Sequence, residues 1–271
     1  MKSNKAIDAA GLLEKVRAQK PLVHHITNWV TIGDCANTVR AVGALPVMAH
    51  AIEESAEMQS ISSSLVLNIG TLTPEIVASM VSAAKKANEL RHPVVLDAVG
   101  AGATALRAEK TFEIMQKARV DILKGNRSEI AKLAGENVST RGVESGKVSG
   151  DMAKIAETLA KEKGFVVAAT GKEDIVVSPS GKKFIVKNGH AMMGEFVGSG
   201  CMAASVIGCF AGVESDFAKA GAAALSCFGI AGEIAAKKAC GPMEFKQRLL
   251  DSLYALETKT VKKMQRIGET E

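Results

Sequence analysis

The chain has 271 residues and a formal net charge of +5, and hydrophobic residues make up 47% of its composition. That apolar share is enough to bury a core, and α/β sheets of this length commonly fold as one unit. The positive charge is mild, and its lysines are dispersed or alternate with Glu, as in Lys161-Glu162-Lys163. This excludes the basic stripe with interleaved aromatics that is typical of nucleic-acid binding. We therefore expect one domain over residues 1–271 and no nucleic-acid partner.

The sequence also predicts a cytoplasmic protein with no membrane partner. No run approaches the ~20 apolar residues of a spanning helix, and Met1 to Lys20 carry Lys, Asp and Glu throughout, unlike a signal peptide. The five cysteines are odd in number and include no CxxC pair, which is typical of reduced thiols. The five histidines show no HExxH spacing, so a transition-metal site is not expected.

Short β-branched or apolar runs alternate with longer helical patterns in the first part of the chain. The predicted strands are Leu22–Ile26, Leu45–Ala49, Leu65–Ile69, Val94–Asp97, Asp121–Leu123 and Phe165–Ala169. The helical pattern is clearest over Pro74–Leu90, where apolar residues recur on one face and lysines lie opposite. Strands and helices in this alternation predict a parallel sheet that is covered on both sides.

The last third of the chain has a different pattern. The runs Ile175–Ser178 and Phe184–Lys187 flank Pro179-Ser180-Gly181, which predicts an antiparallel hairpin. After Gly198 the chain is predicted to be almost wholly helical, with many small residues that allow close packing. Residues 136–150, rich in Gly and Ser, are the most loop-like stretch. Together the elements predict an α/β fold with three α/β/α layers and a mostly parallel central sheet.

Four polar or glycine-rich segments follow predicted strands. They are Asn68-Ile69-Gly70-Thr71, Asp97-Ala98-Val99-Gly100-Ala101-Gly102, Lys124-Gly125-Asn126-Arg127-Ser128-Glu129 and Thr170-Gly171. Because the carboxyl ends of parallel strands share one edge of a sheet, these side chains should converge on one crevice. Each segment alone could equally be a strand terminator. Their coincidence indicates a binding site at this edge.

The segment from Gly100 to Ala105 matches the GxGxxA pattern, so a dinucleotide-dependent oxidoreductase is one interpretation. However, Asp97 lies close ahead of the glycines, where it would repel a pyrophosphate unless a cation intervened. A Mg²⁺ ion bridging this carboxylate and a phosphate removes the conflict, and Glu129 is a candidate second carboxylate. The alternatives are a strand-end turn residue for Asp97 and an exposed first-turn helix acid for Glu129.

No Gly-Lys pair is followed by Ser or Thr, so the chain has no Walker A sequence. The segment from Gly198 to Ser205 can bind phosphate instead, because a glycine turn leads into a helix whose exposed N–H groups and dipole attract an anion. Cys201 lies in the first turn, where its pKa is expected to fall, or it is a small buried hydrophobe. Lys124 and Thr170 could reach a nucleotide phosphate, or they could be a solvated lysine and a strand terminator.

These residues resemble a known family over nearly the whole chain, from about Leu22 to the last helix. The matching segments, in order, are Val23-His24-His25-Ile26-Thr27-Asn28, Gly43-Ala44-Leu45-Pro46-Val47-Met48, Leu67-Asn68-Ile69-Gly70-Thr71-Leu72, Leu96 to Ala103, Lys124 to Ile130, Ala169-Thr170-Gly171 and Gly198-Ser199-Gly200-Cys201. They look like the successive signatures of hydroxyethylthiazole kinases. The resemblance implies a ribokinase-like fold, phosphorylation of the hydroxyl of 4-methyl-5-(2-hydroxyethyl)thiazole by ATP with Mg²⁺ in thiamine biosynthesis or salvage, and a homotrimer with active sites between subunits.

The resemblance also implies roles for individual residues. The thiazole pocket would include Asn28, Val30, Met48, Gly70, Thr71 and Gly198. ATP would be bound by Lys124, Asn126, Thr170 and Gly171, and Mg²⁺ or its waters by Asp97 and Glu129. The catalytic segment would comprise Gly198, Gly200 and Cys201, with Cys201 at the position where related sugar kinases carry an aspartate base.

Three residues depart from the family's usual pattern: His25 replaces Asn, Ala98 replaces Pro and Lys124 replaces Arg. Lysine keeps the charge but lacks the planar fork that grips a phosphate bidentately, so nucleotide affinity or donor choice should differ. One rival comes from another class, the ADP- or ATP-dependent NAD(P)H-hydrate dehydratases, lyases that resemble this fold. Cys201 favours the kinase, because the dehydratase resemblance would imply Asp there. A catalytically silent nucleotide sensor has no positive support in the sequence.

Overall fold

The computed structural model describes residues 7–136 and 150–270, and a nine-stranded sheet runs through this part of the chain. The strands are β1 (Leu22–Ile26), β2 (Leu45–Val47), β3 (Ser64–Asn68), β4 (Val94–Asp97), β5 (Ile122–Asn126), β6 (Val166–Thr170), β7 (Asp174–Val177), β8 (Lys183–Val186) and β9 (Ile267–Thr270). Their order is β2-β1-β3-β4-β5-β6-β7-β8-β9. Pairing is parallel from β2 to β6 and antiparallel from β6 to β9. The predicted mostly parallel sheet and the hairpin are confirmed.

Two helical layers cover the sheet, as the three-layer prediction requires. One layer contains α1 (Ala9–Gln19), α2 (Ile32–Val42), α8 (Ser199–Ala211), α9 (Phe217–Ala236), α10 (Pro242–Tyr254) and α11 (Thr258–Met264). The other contains α4 (Pro74–Leu90), α5 (Ala105–Lys117), α6 (Arg127–Leu133) and α7 (Met152–Lys163), and α3 (Ile52–Ser60) packs against α4. A single 3₁₀ turn, Ala191–Gly194, precedes α8.

The inner strands send alternate side chains into the two layers. In β4, Val95 packs in the core beneath α8 and α9, whereas Val94 and Leu96 pack in the core beneath α4. Side-chain direction has a period of two along a strand, so Asp97 points to the same side as Val95. The same alternation along β5 directs Lys124 to this side. Charged residues at the carboxyl ends of two central strands therefore lie beneath α8.

Helix α4 has the predicted bounds because its sequence carries both a start and a stop signal. The hydroxyl of Thr73 accepts a hydrogen bond from the amide of Ile76, and Pro74 occupies the first helical turn, where its missing N–H costs nothing. Arg91 ends the helix in the left-handed conformation with φ of 59°. Such a local code can be read from the sequence without knowledge of the tertiary structure.

Six strands differ from their predicted bounds and one was not predicted. β3, β6, β7 and β8 are each shifted by one residue, and the larger differences concern β2, β5 and β9. β5 begins at Ile122 and continues through Lys124 to Asn126, because these residues pair in register with β6. β2 ends at Val47, at the edge of the sheet, where it has β1 as its partner. The strand Ile267–Thr270 was missed because its pairing partner β8 lies about 80 residues earlier in the chain. Of the loop-like stretch 136–150, residues 137–149 lie outside the described residues.

One helix in the described part of the chain, α9, has the length and hydropathy that a membrane span needs. Its most apolar window is 78% buried inside the fold. Burial of this kind is what the central helix of a folded core shows, so α9 is weak evidence for a membrane span.

His25 is buried between β1 and α8. Its Nδ1 lies 3.1 Å from the carbonyl oxygen of Val23, and its Nε2 lies 3.0 Å from the hydroxyl of Ser205. Burial lowers the pKa of His25 to about 4. In the neutral ring Nδ1 donates to the carbonyl of Val23 and Nε2 accepts from the Ser205 hydroxyl, which shares its one proton with the carbonyl of Cys201 at 3.2 Å.

This burial predicts a loss of stability in mild acid. Unfolded His25 takes up a proton near pH 6.5, whereas the folded side chain does so only near pH 4, so the folded state loses stability as the pH falls between these values. We expect His25→Asn to reduce the stability difference between pH 7 and pH 5 by about 2 kcal/mol. Urea unfolding at both pH values measures it, and the exposed His190, replaced by Asn, is the control. Equal pH dependence in His25→Asn and the wild type would contradict the prediction.

Candidate active site

Side chains from five segments form one hydrogen-bonded chain at the carboxyl edge of the sheet. Lys124 Nζ lies 3.0 Å from Asp97 Oδ1, and Asn68 Nδ2 donates to Asp97 Oδ2 at 2.8 Å. Asn28 Nδ2 donates to Asn68 Oδ1 at 2.9 Å and contacts Cys201 Sγ at 3.4 Å. Three of the four strand-end segments that were predicted to converge therefore contribute to this chain of contacts, through Asn68, Asp97 and Lys124.

The charges in this chain are buried. Asp97 is fully buried and Lys124 is 3% exposed, which removes the solvated-lysine alternative. Burial raises the pKa of Asp97 and Glu129, against the opposing positive charge of Lys124. Burial alone would lower the pKa of Lys124, but Asp97 and Glu129 outweigh it and raise that pKa. A lysine held between two carboxylates remains protonated, so the site contains a buried ion pair.

Glu129 is buried. This argues against the alternative that it is an exposed acid in the first turn of a helix. Its Oε2 accepts the amide of Asn126 at 2.6 Å, while Asn126 Oδ1 accepts the amide of Glu129 at 2.9 Å. This reciprocal pair is a capping box at the start of α6. Glu129 Oε1 also accepts the amide of Gly100 at 2.7 Å. A carboxylate therefore occupies the position where the GxGxxA interpretation would place a pyrophosphate, which argues against a dinucleotide site.

The turn before α8 depends on glycine at two positions. Gly198 has φ of 106°, and a Cβ there would lie 2.7 Å from Cγ2 of Thr31. A Cβ on Gly200 would lie 3.0 Å from Lys124 Nζ, so the lysine ammonium group reaches the first turn of α8. The N-cap residue of this helix is Gly198, which has no side chain to cap it. Its N-terminal N–H groups and the lysine thus converge on one place where an anion could bind.

The structure contradicts one expectation from the sequence, the lowered pKa of Cys201. Its thiol is buried in the first turn of α8, and burial together with the charge of Asp97 raises its pKa, although Lys124 opposes the shift. The predicted fall in pKa is therefore wrong, because desolvation and a neighbouring carboxylate outweigh the helix dipole. Cys201 is a neutral thiol in contact with Asn28.

The predicted substrate residues Val30, Met48, Gly70 and Thr71 follow the carboxyl ends of β1, β2 and β3. The amide of Gly70 donates to Asn68 Oδ1 at 2.9 Å, and Thr71 Oγ1 accepts the amide of Trp29 at 3.1 Å. Val30 is 67% exposed, and Met48 is half-buried just after β2. These residues share the carboxyl edge with Asn28, and their contacts with a substrate stay a prediction.

The predicted nucleotide residues at the end of β6 are engaged in hydrogen bonds within the fold. Thr170 Oγ1 donates to the carbonyl of Gly125 at 3.2 Å, and the amide of Gly171 donates to Asp174 Oδ1 at 2.9 Å. They adjoin Asn126, which pairs with Thr170 across the sheet. Their contacts with ATP also remain a prediction.

Two structural contributors were not predicted as site residues. Asn68 links Asn28 to Asp97 through its amide. Arg107 Nη1 donates to the carbonyls of Ile69 and Val99, each at 2.9 Å, and Nη2 donates to the carbonyl of Gly70 at 2.8 Å. Arg107 therefore ties the segments after β3 and β4 together. An asparagine at a strand end gave a weak signal, whereas no local pattern marks an arginine that binds carbonyls 37 and 38 residues away.

The described residues contain no group of three or more His, Cys, Asp or Glu that could hold a metal ion by themselves. Asp97 and Glu129 offer two carboxylates near the same lysine. This set suits Mg²⁺ better than a transition metal, because Mg²⁺ is commonly held by one or two carboxylates together with substrate phosphates and waters.

The fold is that of ribokinase-like proteins. A ribokinase-like superfamily protein from Enterococcus faecalis V583 has the same fold with a TM-score of 0.60 at 12% identity, over 95% of this chain and 92% of that one. The chain belongs to the hydroxyethylthiazole kinase family, whose model matches residues 13–259.

Individual family members resemble the chain over almost its full length. A hydroxyethylthiazole kinase from Methanosarcina mazei is 57% identical over 95% of this chain and 98% of its own length, and one from Thermoanaerobacter pseudethanolicus is 48% identical over 94% and 97%. The solved structure of such a kinase from Pyrococcus horikoshii OT3 superposes with a TM-score of 0.87 at 39% identity, covering 97% of this chain and 99% of that one. The rival dehydratase class shares the fold alone: a Bacillus subtilis NAD(P)H-hydrate dehydratase has a TM-score of 0.60 at 13% identity, over 95% of this chain and 94% of that one.

Proposed function

We propose that this chain transfers the γ-phosphoryl group of ATP directly to the primary alcohol of 4-methyl-5-(2-hydroxyethyl)thiazole. The observation that carries the proposal is the approach of the Lys124 ammonium group to the first turn of α8, beside the buried carboxylate of Asp97. In phosphoryl transfer the negative charge spreads over the oxygens of the moving group. A fixed lysine and a helix N-terminus are suited to stabilise that charge.

The acceptor alcohol would bind between Asn28 and the first turn of α8. Asn28 is held in place because its Oδ1 accepts from both the amide and the hydroxyl of Thr31, at 3.0 and 3.1 Å. One proton of its Nδ2 group is directed at Cys201 Sγ, a weak acceptor 3.4 Å away, and would donate instead to the oxygen of a bound hydroxyl. The loose transition state of phosphoryl transfer needs little early deprotonation, so a neutral thiol at this position is compatible with catalysis. Catalysis would come mainly from positioning and from charge stabilisation.

The proposed cofactor is Mg²⁺, which the carboxylates of Asp97 and Glu129 would hold directly or through water. Asp97 and Glu129 already accept hydrogen bonds, but each carboxylate has about four acceptor positions and can also accept from a metal-bound water. A bound Mg²⁺ would neutralise charge on the phosphate oxygens of ATP. Asp97 additionally keeps Lys124 protonated and directed at the phosphate position.

The nucleotide would lie along the carboxyl ends of β5 and β6. Asn126 and Thr170 pair across β5 and β6 just beyond Lys124 in the strand, and together with Gly171 they are the residues proposed to contact ATP. One kinase domain over residues 1–271 agrees with a single sheet that carries every element of the site. A cytoplasmic role in thiamine biosynthesis or salvage completes the proposal.

We also expect a homotrimer with active sites between subunits. Trp29, Val30 and Val197 are exposed by 54%, 67% and 71%. Val30 and Val197 flank the close approach of Thr31 to Gly198, so this apolar surface borders the site. Exposed apolar patches of this kind commonly mark an interface, and a neighbouring chain would also close the pocket.

Val197→Asp is expected to dissociate the trimer and to lower turnover, because burying a charge in the interface is unfavourable. Leu106→Asp is the matched control, since Leu106 is also exposed, at 49%, but lies at the start of α5. Light scattering coupled to size-exclusion chromatography gives the mass, and a coupled ADP assay gives the rate. A fully active wild-type monomer at assay concentration would refute the expectation.

The function itself is tested with purified wild-type protein, ATP, Mg²⁺ and a panel of alcohols that includes the thiazole, pyridoxal and ribose. Mass spectrometry should detect a phosphorylated thiazole as the main product. Efficient phosphorylation of another alcohol in place of the thiazole would overturn the substrate assignment. Dehydration of hydrated NADH without any phosphorylated product would replace the kinase by the rival lyase.

A further inference from the structure

Arg127, the first residue of α6, has a guanidinium group whose hydrogen-bonding capacity is met only in part by residues 7–136 and 150–270. Its Nη2 donates to the carbonyl of Glu173 at 3.2 Å. Its Nε is buried and has no hydrogen-bond partner within the part of the chain that the structure describes. A buried donor without an acceptor is unfavourable. The arrangement is therefore suited to an acceptor that the described residues do not supply.

The turn after β6 leaves room for this guanidinium. A Cβ on Gly171 would lie 2.9 Å from Arg127 Nε, so a larger residue there would displace the arginine. The amide of Gly171 is already engaged with Asp174 Oδ1. Arg127 thus provides a charged donor at a turn whose own N–H group is committed to the fold.

Arg127 also shares its surroundings with the buried lysine of the site. Burial raises the pKa of Asp174 to about 7, while the bond from Gly171 and the positive charges of Lys124 and Arg127 oppose the shift. Asp174 therefore lies within electrostatic range of both cations. The two cations are placed differently, because Lys124 is held by Asp97 and approaches α8, whereas Arg127 lies over the turn at the end of β6.

We infer that Arg127 binds a phosphate oxygen of the donor nucleotide, an assignment that rests on the proposed ATP-dependent kinase function. Arginine forms charge-assisted and often bidentate hydrogen bonds with phosphate, which lysine cannot reproduce. Lys124 stands where the family usually has arginine, and it is directed towards the first turn of α8. Arg127 supplies a guanidinium group a short distance along the same edge, next to the proposed nucleotide contacts Thr170 and Gly171.

The test measures nucleotide binding directly, without the acceptor alcohol. Calorimetric titration of the full chain with ATP, ADP and AMP, each with Mg²⁺, would compare the wild type with Arg127→Gln, Arg127→Lys and Lys172→Gln. Lys172 is the matched control, because it is an exposed cation next to Gly171. We expect Arg127→Gln to weaken ATP binding about tenfold or more, since a hydrogen bond to a charged group is lost. Arg127→Lys should recover part of the affinity, and Lys172→Gln should stay within about twofold, as exposed charges contribute little.

If Arg127 contacts a phosphate, its replacement should have a second effect that a purely structural role of Arg127 would not produce. Arg127→Gln should reduce the preference for ATP over AMP and should leave the KM for the alcohol unchanged. ATP binding by Arg127→Gln within twofold of the wild type would overturn the inference while leaving the kinase proposal intact, and so would equal weakening of all three nucleotides together with a lower Tm. A wild-type protein that does not bind ATP would overturn both.

Discussion

Replacing Asp97 by Asn is expected to abolish most of the turnover and to destabilise the fold, and adding Lys124→Met should restore the stability but not the activity. Asp97 is fully buried and lies 3.0 Å from the ammonium of Lys124. Removing one partner of a buried ion pair leaves an uncompensated charge and costs about 3–5 kcal/mol. For a chain of this size that lowers the Tm by about 10 °C.

The double variant separates the two roles of Asp97. Replacing both partners by uncharged groups of similar size is often neutral or stabilising, so Asp97→Asn with Lys124→Met should melt near the wild-type temperature. Turnover should remain at least about 10²-fold below the wild type, because the charge stabilisation of the transferring phosphoryl group is gone. Thermal unfolding and turnover per folded molecule give the two readouts.

Asp121 provides the matched control for this experiment. It is a buried carboxylate just before β5, at the opposite edge of the sheet, where it accepts the amide of Val94 at 3.0 Å and pairs with Arg119. Asp121→Asn should lower the Tm with little change in turnover per folded molecule. If Asp97→Asn behaves in the same way, Asp97 is only a structural residue. If the double variant is as unstable as Asp97→Asn alone, the ion pair is not the source of the instability.

The sequence predicts Asp97 as a metal ligand but does not show its ion pair with Lys124, because burial is not visible in the sequence. The strand end of β4 identified Asp97 as a candidate, but its contacts with Asn68 and Lys124 join residues 29 and 27 positions away. Cys201 shows the same limit. Its place in the first turn of α8 predicted a lowered pKa, whereas the tertiary neighbour Asp97 and the loss of solvent raise it.

Elements with local signals were predicted more accurately than those that depend on distant partners. The bounds of α4 follow from Thr73 and Pro74 at its start and from its apolar face. The end of β5 could not be predicted, because Lys124 is tolerated in a buried strand only through its ion pair with Asp97. Likewise, Arg107 joins two loops by donating to backbone carbonyl oxygens. Every residue has such an oxygen, so the sequence does not show which ones Arg107 binds. The residues that contact the sheet edge were therefore predictable, and the residues that hold them together were not.

The first turn of α8 should matter more through its backbone than through its sulfur. A Cβ on Gly200 would already lie 3.0 Å from Lys124 Nζ, so the branched side chain of Gly200→Val would fill the space between the helix and the lysine. Loss of such preorganised donors typically costs about 10²–10³ in turnover. Gly241→Val is the matched control, because a Cβ on Gly241 meets nothing within 4 Å, and its activity should be unchanged.

Cys201→Ala is expected to be the milder change. General-base assistance is worth about 10²–10⁴-fold, but the pKa of the Cys201 thiol is raised, so little thiolate is present at neutral pH. The loss should therefore be less than about 10²-fold, at the low end of that range. Gly200→Val should be slower than Cys201→Ala when both are assayed at saturating ATP and thiazole, with circular dichroism and ATP titration confirming that both are folded and bind nucleotide.

Cys201→Asp tests the chemical role of the sulfur by changing its acidity. A carboxyl group ionises near pH 4 and a thiol near pH 8.5 in water, and the same burial and the same neighbour, Asp97, would raise both. We expect this variant to be at least as active as the wild type at neutral pH and to lose that advantage at low pH, where its carboxylate becomes protonated, whereas the wild type does not depend on an ionised Cys201. Measuring kcat from pH 5 to 9 for the wild type and the Ala and Asp variants checks this. If both variants were inactive while folded and able to bind ATP, the sulfur itself would be essential, and the backbone of α8 and Lys124 could not account for catalysis.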